Sequence, residues 1–171
     1  TMNIFTSKLL AWYAQHKRDL PWRQTKDPYC VWISEVILQQ TRVAQGLPYY
    51  YLFLDRFPTV NDLAKANEDE VLKLWQGLGY YSGARNLHKA AKVVTTMHNG
   101  VFPSSFKELL ALPGIGPYTA SAIASFCYEE PKAVLDGNVF RVLARYFDVD
   151  IPINLPKGTR YFQDLAQSLI D

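Results

Sequence analysis

Cysteine is scarce in this chain: Cys30 and Cys127 are the two among 171 residues. They stand far apart in helical contexts, with no Cys-x-x-Cys spacing, so the sequence shows no zinc or redox site of that kind. The histidines His16, His88 and His98 have no ligand partners at useful spacing. Long hydrophobic runs are missing too. No stretch has the length and apolarity of a membrane span, and the N-terminus lacks a signal-peptide pattern. A cytoplasmic protein that does not engage a membrane is the expectation. Charge of one sign is barely in excess, with 18 Lys and Arg against 16 Asp and Glu, for a net charge of +2. Composition alone therefore does not announce a nucleic-acid binder, and local patches would have to do so. Internal repeats, low-complexity linkers and convincing period-2 alternation are all lacking, which leaves no signal for a sheet.

What the chain does have is apolar content and helical period. Hydrophobic residues make up 49% of it, too many for a disordered segment. The length suffices for one sizeable core or two small ones. The spacing predicts helices over 4–17, 31–44, 48–57, 59–66, 69–76, 84–98, 106–110, 118–128, 139–147 and 157–170. Thr59 and Asn67 are plausible N-caps. In the 84–98 helix, Ala84, Leu87, His88, Ala91 and Val94 share one face, which makes His88 a core or boundary residue. The predicted fold class is all-α with short connections.

Residues 109–128 read LLALPGIGPYTASAIASFCY. Leu112-Pro113-Gly114-Ile115-Gly116 is a glycine-interrupted turn. The helix behind it places Ala120, Ile123, Ala124 and Cys127 on one face, with Pro117 where a first-turn proline is tolerated. Such a turn is either plain helix–turn–helix punctuation or a backbone approach for an anion, since exposed N–H groups at a helix start attract negative charge. Basic residues also group by helical spacing. Arg85, Lys89 and Lys92 lie opposite an apolar face, and Arg141 pairs with Arg145. Each set is a solvated face or a phosphate track.

The second informative segment is PWRQTKDPYCVWISEVILQQTRV, residues 21–43. Glu35 stands there among Trp, Ile, Val and Leu. An apolar setting favours the protonated carboxyl, as a general acid requires. Periodicity also allows Glu35, Gln39 and Arg42 to form an exposed polar face.

The hairpin resembles the helix-hairpin-helix motif of the base-excision DNA glycosylases related to endonuclease III. That superfamily also carries an aspartate about twenty residues on, where Asp136 stands in VLDGNVFRVLAR. With WISEVILQQTRV and GLGYYSGARNLHKAA in the same order, the chain is similar to the adenine DNA glycosylases of the MutY type. That resemblance implies roles. Glu35 would protonate adenine N7 and help deliver water. Asp136, with Asn138 beside it, would stabilise the oxocarbenium-like sugar. Tyr118 takes the hairpin position where bifunctional lyases have lysine. Trp22, Arg23, Leu38 and Val43 would surround the extruded adenine. Gln39, Gln40, Tyr80 and Arg85, with hairpin residues Leu112, Gly114 and Gly116, would contact DNA, Gln40 and Tyr80 as wedges.

The resemblance further implies a six-helix barrel domain with the hairpin over 20–132, and part of a second helical domain from 1–19 and 133–171. The implied partner is double-stranded DNA with adenine opposite 8-oxoguanine or guanine, acted on by a monomer in the bacterial cytoplasm at the nucleoid. A monovalent cation at the hairpin carbonyls of Leu112 and Gly114 also belongs to the pattern. So does a [4Fe–4S] cluster, held in the family by four cysteines that would follow. The chain reaches Asp171 before them, so the sequence reads as a fragment, and Cys30 and Cys127 do not replace those ligands. Phe140 stands where some members have lysine. Two other readings remain. An endonuclease III-like glycosylase/lyase for oxidised pyrimidines would need lysine at 118. A non-catalytic helix-hairpin-helix binding module would have no use for Glu35 and Asp136 near a polyanion.

Overall fold

A computed structural model describes residues 3–170. These form ten α-helices and one 3-10 turn, with no strand among the described residues. The helices are α1 (Ile4–His16), α2 (Pro28–Leu38), α3 (Val43–Arg56), α4 (Val60–Lys65), α5 (Glu68–Trp75), α6 (Tyr81–Met97), α7 (Phe106–Leu110), α8 (Pro117–Tyr128), α9 (Gly137–Tyr146) and α10 (Pro156–Ser168). Pro21–Arg23 makes the 3-10 turn. The expected all-α class is what the chain adopts.

Capping decides most boundaries. Thr59 and Asp62 form a reciprocal capping box ahead of α4, and Asn67 accepts the Asp69 amide ahead of α5. Asp27 accepts the Tyr29 amide, so α2 opens at Pro28, earlier than the expected residue 31. α2 also ends at Leu38 instead of running to residue 44. Arg42 is extended (φ −77°, ψ 161°), and α3 starts at Val43 rather than 48. The reversal lets α3 cross close to the end of α2 at Gly46. A Cβ there would come within 3.0 Å of Ile37 Cγ2 and Thr41 Cγ2. Pro48, read as a helix start, lies inside α3. It removes only the bond to the Ala44 carbonyl, and both residues are exposed to solvent. α6 opens at Tyr81, three residues ahead of expectation, because Tyr80 takes the left-handed conformation (φ 50°) and closes the preceding turn.

The buried side chains fall into two clusters. The larger gathers α2–α8 around Trp32, Phe57, Trp75, Leu63, Leu109 and Ile123. α4 and α5 both pack on α6, whose Ala84, Ala90 and Ala91 are fully buried. Truncating Trp32 or Trp75 to alanine would cost roughly 3–5 kcal/mol. The smaller cluster joins Ala133, Leu143, Phe162 and Ala166, with Phe5 of α1 packed against it. Thr6 donates to the Leu169 carbonyl (2.6 Å), tying the chain's beginning to α10. Between the clusters runs an extended linker, 129–136, which starts at Glu129 (φ 55°) and delivers Asp136 to the start of α9.

Candidate active site

α2 packs against α8, and that contact sets the first wall of a cleft of about 370 Å³. Glu35 comes from the middle of α2. It is 6% exposed, so the polar-face alternative is wrong for this residue, although Gln39 one turn later is exposed. Burial pushes the Glu35 carboxyl above the usual carboxylate range, and the Arg23 guanidinium pulls it partly back. α8 contributes Tyr118 in its first turn. Burial raises the Tyr118 phenol, Glu35 and Asp136 raise it further, and Arg23 opposes them. Tyr118 therefore lies within electrostatic reach of both carboxylates.

Asp136 lines the same cleft from the start of α9. It is the helix N-cap: one carboxylate oxygen accepts the Val139 amide at 2.8 Å. Trp22, Arg23, Leu38 and Val43 all line the cleft, with Trp22 fixed edge-on to Tyr50 at 5.2 Å. Arg23 lies over the Phe126 ring, 3.9 Å from its centroid. Two lining residues, Arg18 and Leu20, escaped the sequence reading. Their signal was a basic residue just ahead of the Leu-Pro-Trp turn.

Asn138 lies outside the cleft lining. Its side-chain oxygen accepts from Arg141 at 3.2 Å, one helical turn on. Arg85 also stands apart, 3.7 Å from Glu68 in an ion pair. Gln39 bridges the walls by donating to Thr119 Oγ1 at 3.1 Å. Gln40 turns the other way, into a polar notch with Thr41, Gln45, Tyr49, Gly77 and Leu78. Tyr80, 57% exposed, leans over Gly83, where a Cβ would meet its ring at 2.9 Å.

In the hairpin, Leu112 is buried and its carbonyl accepts the Ile115 amide at 3.2 Å. Gly114 has φ 71°, and a Cβ there would lie 2.6 Å from Asn86 Cβ. Gly116 has φ −88°, and a Cβ there would meet nothing within 4 Å. The two glycines thus differ: the fold demands Gly114, whereas nothing within the chain demands Gly116. The Gly114 and Gly116 amides make no hydrogen bond among the described residues.

The described residues do not fit an iron–sulfur cluster. No group of three or more His, Cys, Asp or Glu gathers there. Both thiols are free and half-buried. Burial, with Asp27 adding to it, pushes Cys30 up to about 11 and Cys127 up to about 12.

Residues 33–161 match the family described as HhH-GPD superfamily base excision DNA repair protein. The chain is similar to the adenine DNA glycosylase of Buchnera aphidicola subsp. Baizongia pistaciae (strain Bp), 46% identical over 100% of this chain and 47% of that protein. It is 43% identical to the adenine DNA glycosylase of Rattus norvegicus, over 99% of this chain and 35% of the relative. Among solved structures it is similar to a thermostable thymine-DNA glycosylase, with a TM-score of 0.88 at 30% identity, covering 97% of this chain and 76% of the other. The chain spans about half the length, or less, of the curated relatives it matches.

Proposed function

The chain belongs to the HhH-GPD superfamily of base excision DNA repair proteins, and we propose that it carries the catalytic centre of a monofunctional adenine DNA glycosylase. The observation that carries this reading is one cleft lined by two carboxylates in unlike settings, with Tyr118 beside them where a lyase would need lysine. A buried carboxyl with a raised pKa keeps a proton to give, while a capped, charged carboxylate stabilises a cation.

The chemistry follows from adenine as a leaving group. Adenine leaves badly as an anion. Glu35 gives its proton to N7 as the C1′–N9 bond breaks and the bonding pair moves to N9. The sugar becomes oxocarbenium-like, and the fixed negative charge of Asp136 lowers that barrier. Water then adds to C1′, and the Glu35 carboxylate takes up its proton. Trp22, Arg23, Leu38 and Val43 hold the extruded base, and a cleft of this volume falls in the usual range for a ligand site. Gln40 and the exposed Tyr80 ring fill the gap that the base leaves in the stack. The free hairpin amides at Gly114 and Gly116, before the start of α8, hold a phosphate. The open Gly114 carbonyl and the remaining lone pair of Leu112 would suit a monovalent cation.

The two buried clusters support a division into a barrel domain over 20–132 and part of a second domain from 1–19 and 133–171. A [4Fe–4S] cluster in the complete protein would be held by residues outside those described. No described helix is long and apolar enough to cross a membrane. We place the protein as a monomer on double-stranded DNA in the bacterial cytoplasm, at the nucleoid.

The test is single-turnover base release by the complete protein from duplexes holding adenine opposite 8-oxoguanine, adenine opposite guanine, thymine opposite guanine, or an oxidised pyrimidine. Release of adenine alone supports the reading. Release of a pyrimidine with strand cleavage and no adenine overturns it.

A further inference from the structure

We propose that Gln163 and Gln167 of α10 are positioning residues that set where Asp136 stands in the cleft. This rests on the role given to Asp136 above. Asp136 is delivered by the linker 129–136, which belongs to no helix. The Glu130 carboxylate accepts the Phe106 amide at 3.1 Å, so the linker's start is fixed to α7. Its middle is gripped from the other side. The Gln167 side-chain amide donates to the Pro131 carbonyl at 2.6 Å and accepts the Ala133 amide at 3.0 Å. Gln163, one turn earlier on the same face of α10, donates to the Ala133 carbonyl at 3.3 Å. Gln167 thus pairs with the linker as a neighbouring strand would, using one donor and one acceptor. Only a carboxamide of that length supplies both to groups on either side of Lys132.

Packing holds one side of the linker, through Ala133 and Leu135 in the smaller core, and leaves the other side to this grip. Between α8, the linker and α10 lies a cavity of about 400 Å³, lined in part by Tyr118, Ser121, Gln163 and Gln167. Where side chains leave such a hollow, directional bonds carry the position. Ala133 itself is buried in the smaller core, and Asp136 follows three residues later. Loosening the Ala133 backbone therefore moves the cap of α9, and with it one catalytic carboxylate relative to Glu35 and Tyr118.

The experiment compares Gln167→Leu and Gln163→Leu with the wild type in the complete protein, through three measurements. Amide exchange at Ala133 reads the grip without any turnover, and it should quicken in Gln167→Leu. Single-turnover adenine release at saturating enzyme should fall on the order of 10- to 100-fold, as misplacement by about 1 Å does, while affinity for the duplex holds within about 3-fold. A cycle with Asp136→Asn distinguishes positioning from general damage. The Gln167→Leu loss should nearly vanish once the Asp136 charge is gone, whereas a merely structural loss would add in full. Gln163→Leu removes one bond instead of two and should show the same pattern more weakly, which keeps the test open if Gln167→Leu does not fold. Unchanged exchange, unchanged release in both variants, or fully additive losses would overturn the proposal. A wild type that releases no adenine while Gln167→Leu still quickens exchange counts against the adenine reading, not against the grip.

Discussion

Glu35 and Asp136 line one cleft but answer to opposite surroundings. Glu35 is buried in α2 with its carboxyl pushed up, and Asp136 commits one oxygen to an α9 amide at 2.8 Å. The pair is asymmetric by construction, and each half can be removed separately.

Glu35→Gln keeps the shape and removes the proton. Adenine release should fall by ~10²–10⁴-fold. Binding to a duplex with adenine opposite 8-oxoguanine should be retained. Single-turnover kinetics beside a filter-binding titration check this, and near-normal excision would remove Glu35 from the mechanism.

The same substitution should change stability with pH. The folded protein holds the Glu35 proton more tightly than the unfolded chain, whose carboxyl titrates near 4.5. Its stabilising contribution is whole below about pH 4.5 and is lost as pH rises through the raised folded value. Above that folded value the wild type buries a charge that glutamine avoids. Glu35→Gln should then melt higher, by about 2–4 °C for each kcal/mol relieved, with the gap closing toward pH 4. Calorimetry from pH 4 to pH 8 reads this, and a gap that widens toward acid would contradict it.

Asp136 caps α9, and different substitutions separate that cap from the catalytic role proposed for it. Asparagine caps a helix about as well as aspartate, so Asp136→Asn should fold normally yet lose roughly 10²–10³-fold in the chemical step. Asp136→Ala loses the cap as well and should cost about 0.5–2 kcal/mol of stability. Equal rates for Asp136→Asn and wild type would reduce Asp136 to a cap.

The two hairpin glycines should respond differently. Gly114→Ala meets Asn86 and a positive φ, so it should destabilise by about 1–3 kcal/mol. Gly116→Ala meets open space, so its melting temperature should stay near wild type. Gly116→Val should weaken binding to all duplexes alike, because a phosphate contact carries no base information. Titrations at one fixed salt concentration measure it, and a sequence-dependent loss would refute the phosphate role.

Tyr118 cannot form a Schiff base with an abasic sugar. Borohydride should trap no covalent adduct dependent on residue 118. Efficient trapping that a substitution near 118 abolishes would restore the lyase reading.

Much of this was legible in the residues. Thr59 and Asn67 announced their caps, and the α6 stripe from Ala84 to Val94 marked its buried face. The break after Leu38 was not legible, because local propensity favours continuing the helix, and the close approach at Gly46, where a Cβ would lie 3.0 Å from Ile37 and Thr41, joins residues of two helices. Glu35 was ambiguous for a related reason: period alone cannot say that α8 will cover that side of α2. Arg18 offered only a basic charge ahead of the Leu-Pro-Trp turn, and its place in the cleft lining is what reveals it. The Gln167 bonds join residues more than thirty positions apart, beyond the reach of any local pattern.

The two raised thiols bear on the chain's endurance. Oxidants and alkylating agents attack the thiolate, and a thiol at about 11 holds roughly one part in 10⁴ in that form at neutral pH. Peroxide should therefore find little at Cys30 or Cys127 to convert to sulfenic acid. An adenine glycosylase acting opposite oxidised guanine would gain from sulfur that stays chemically quiet under the same oxidants.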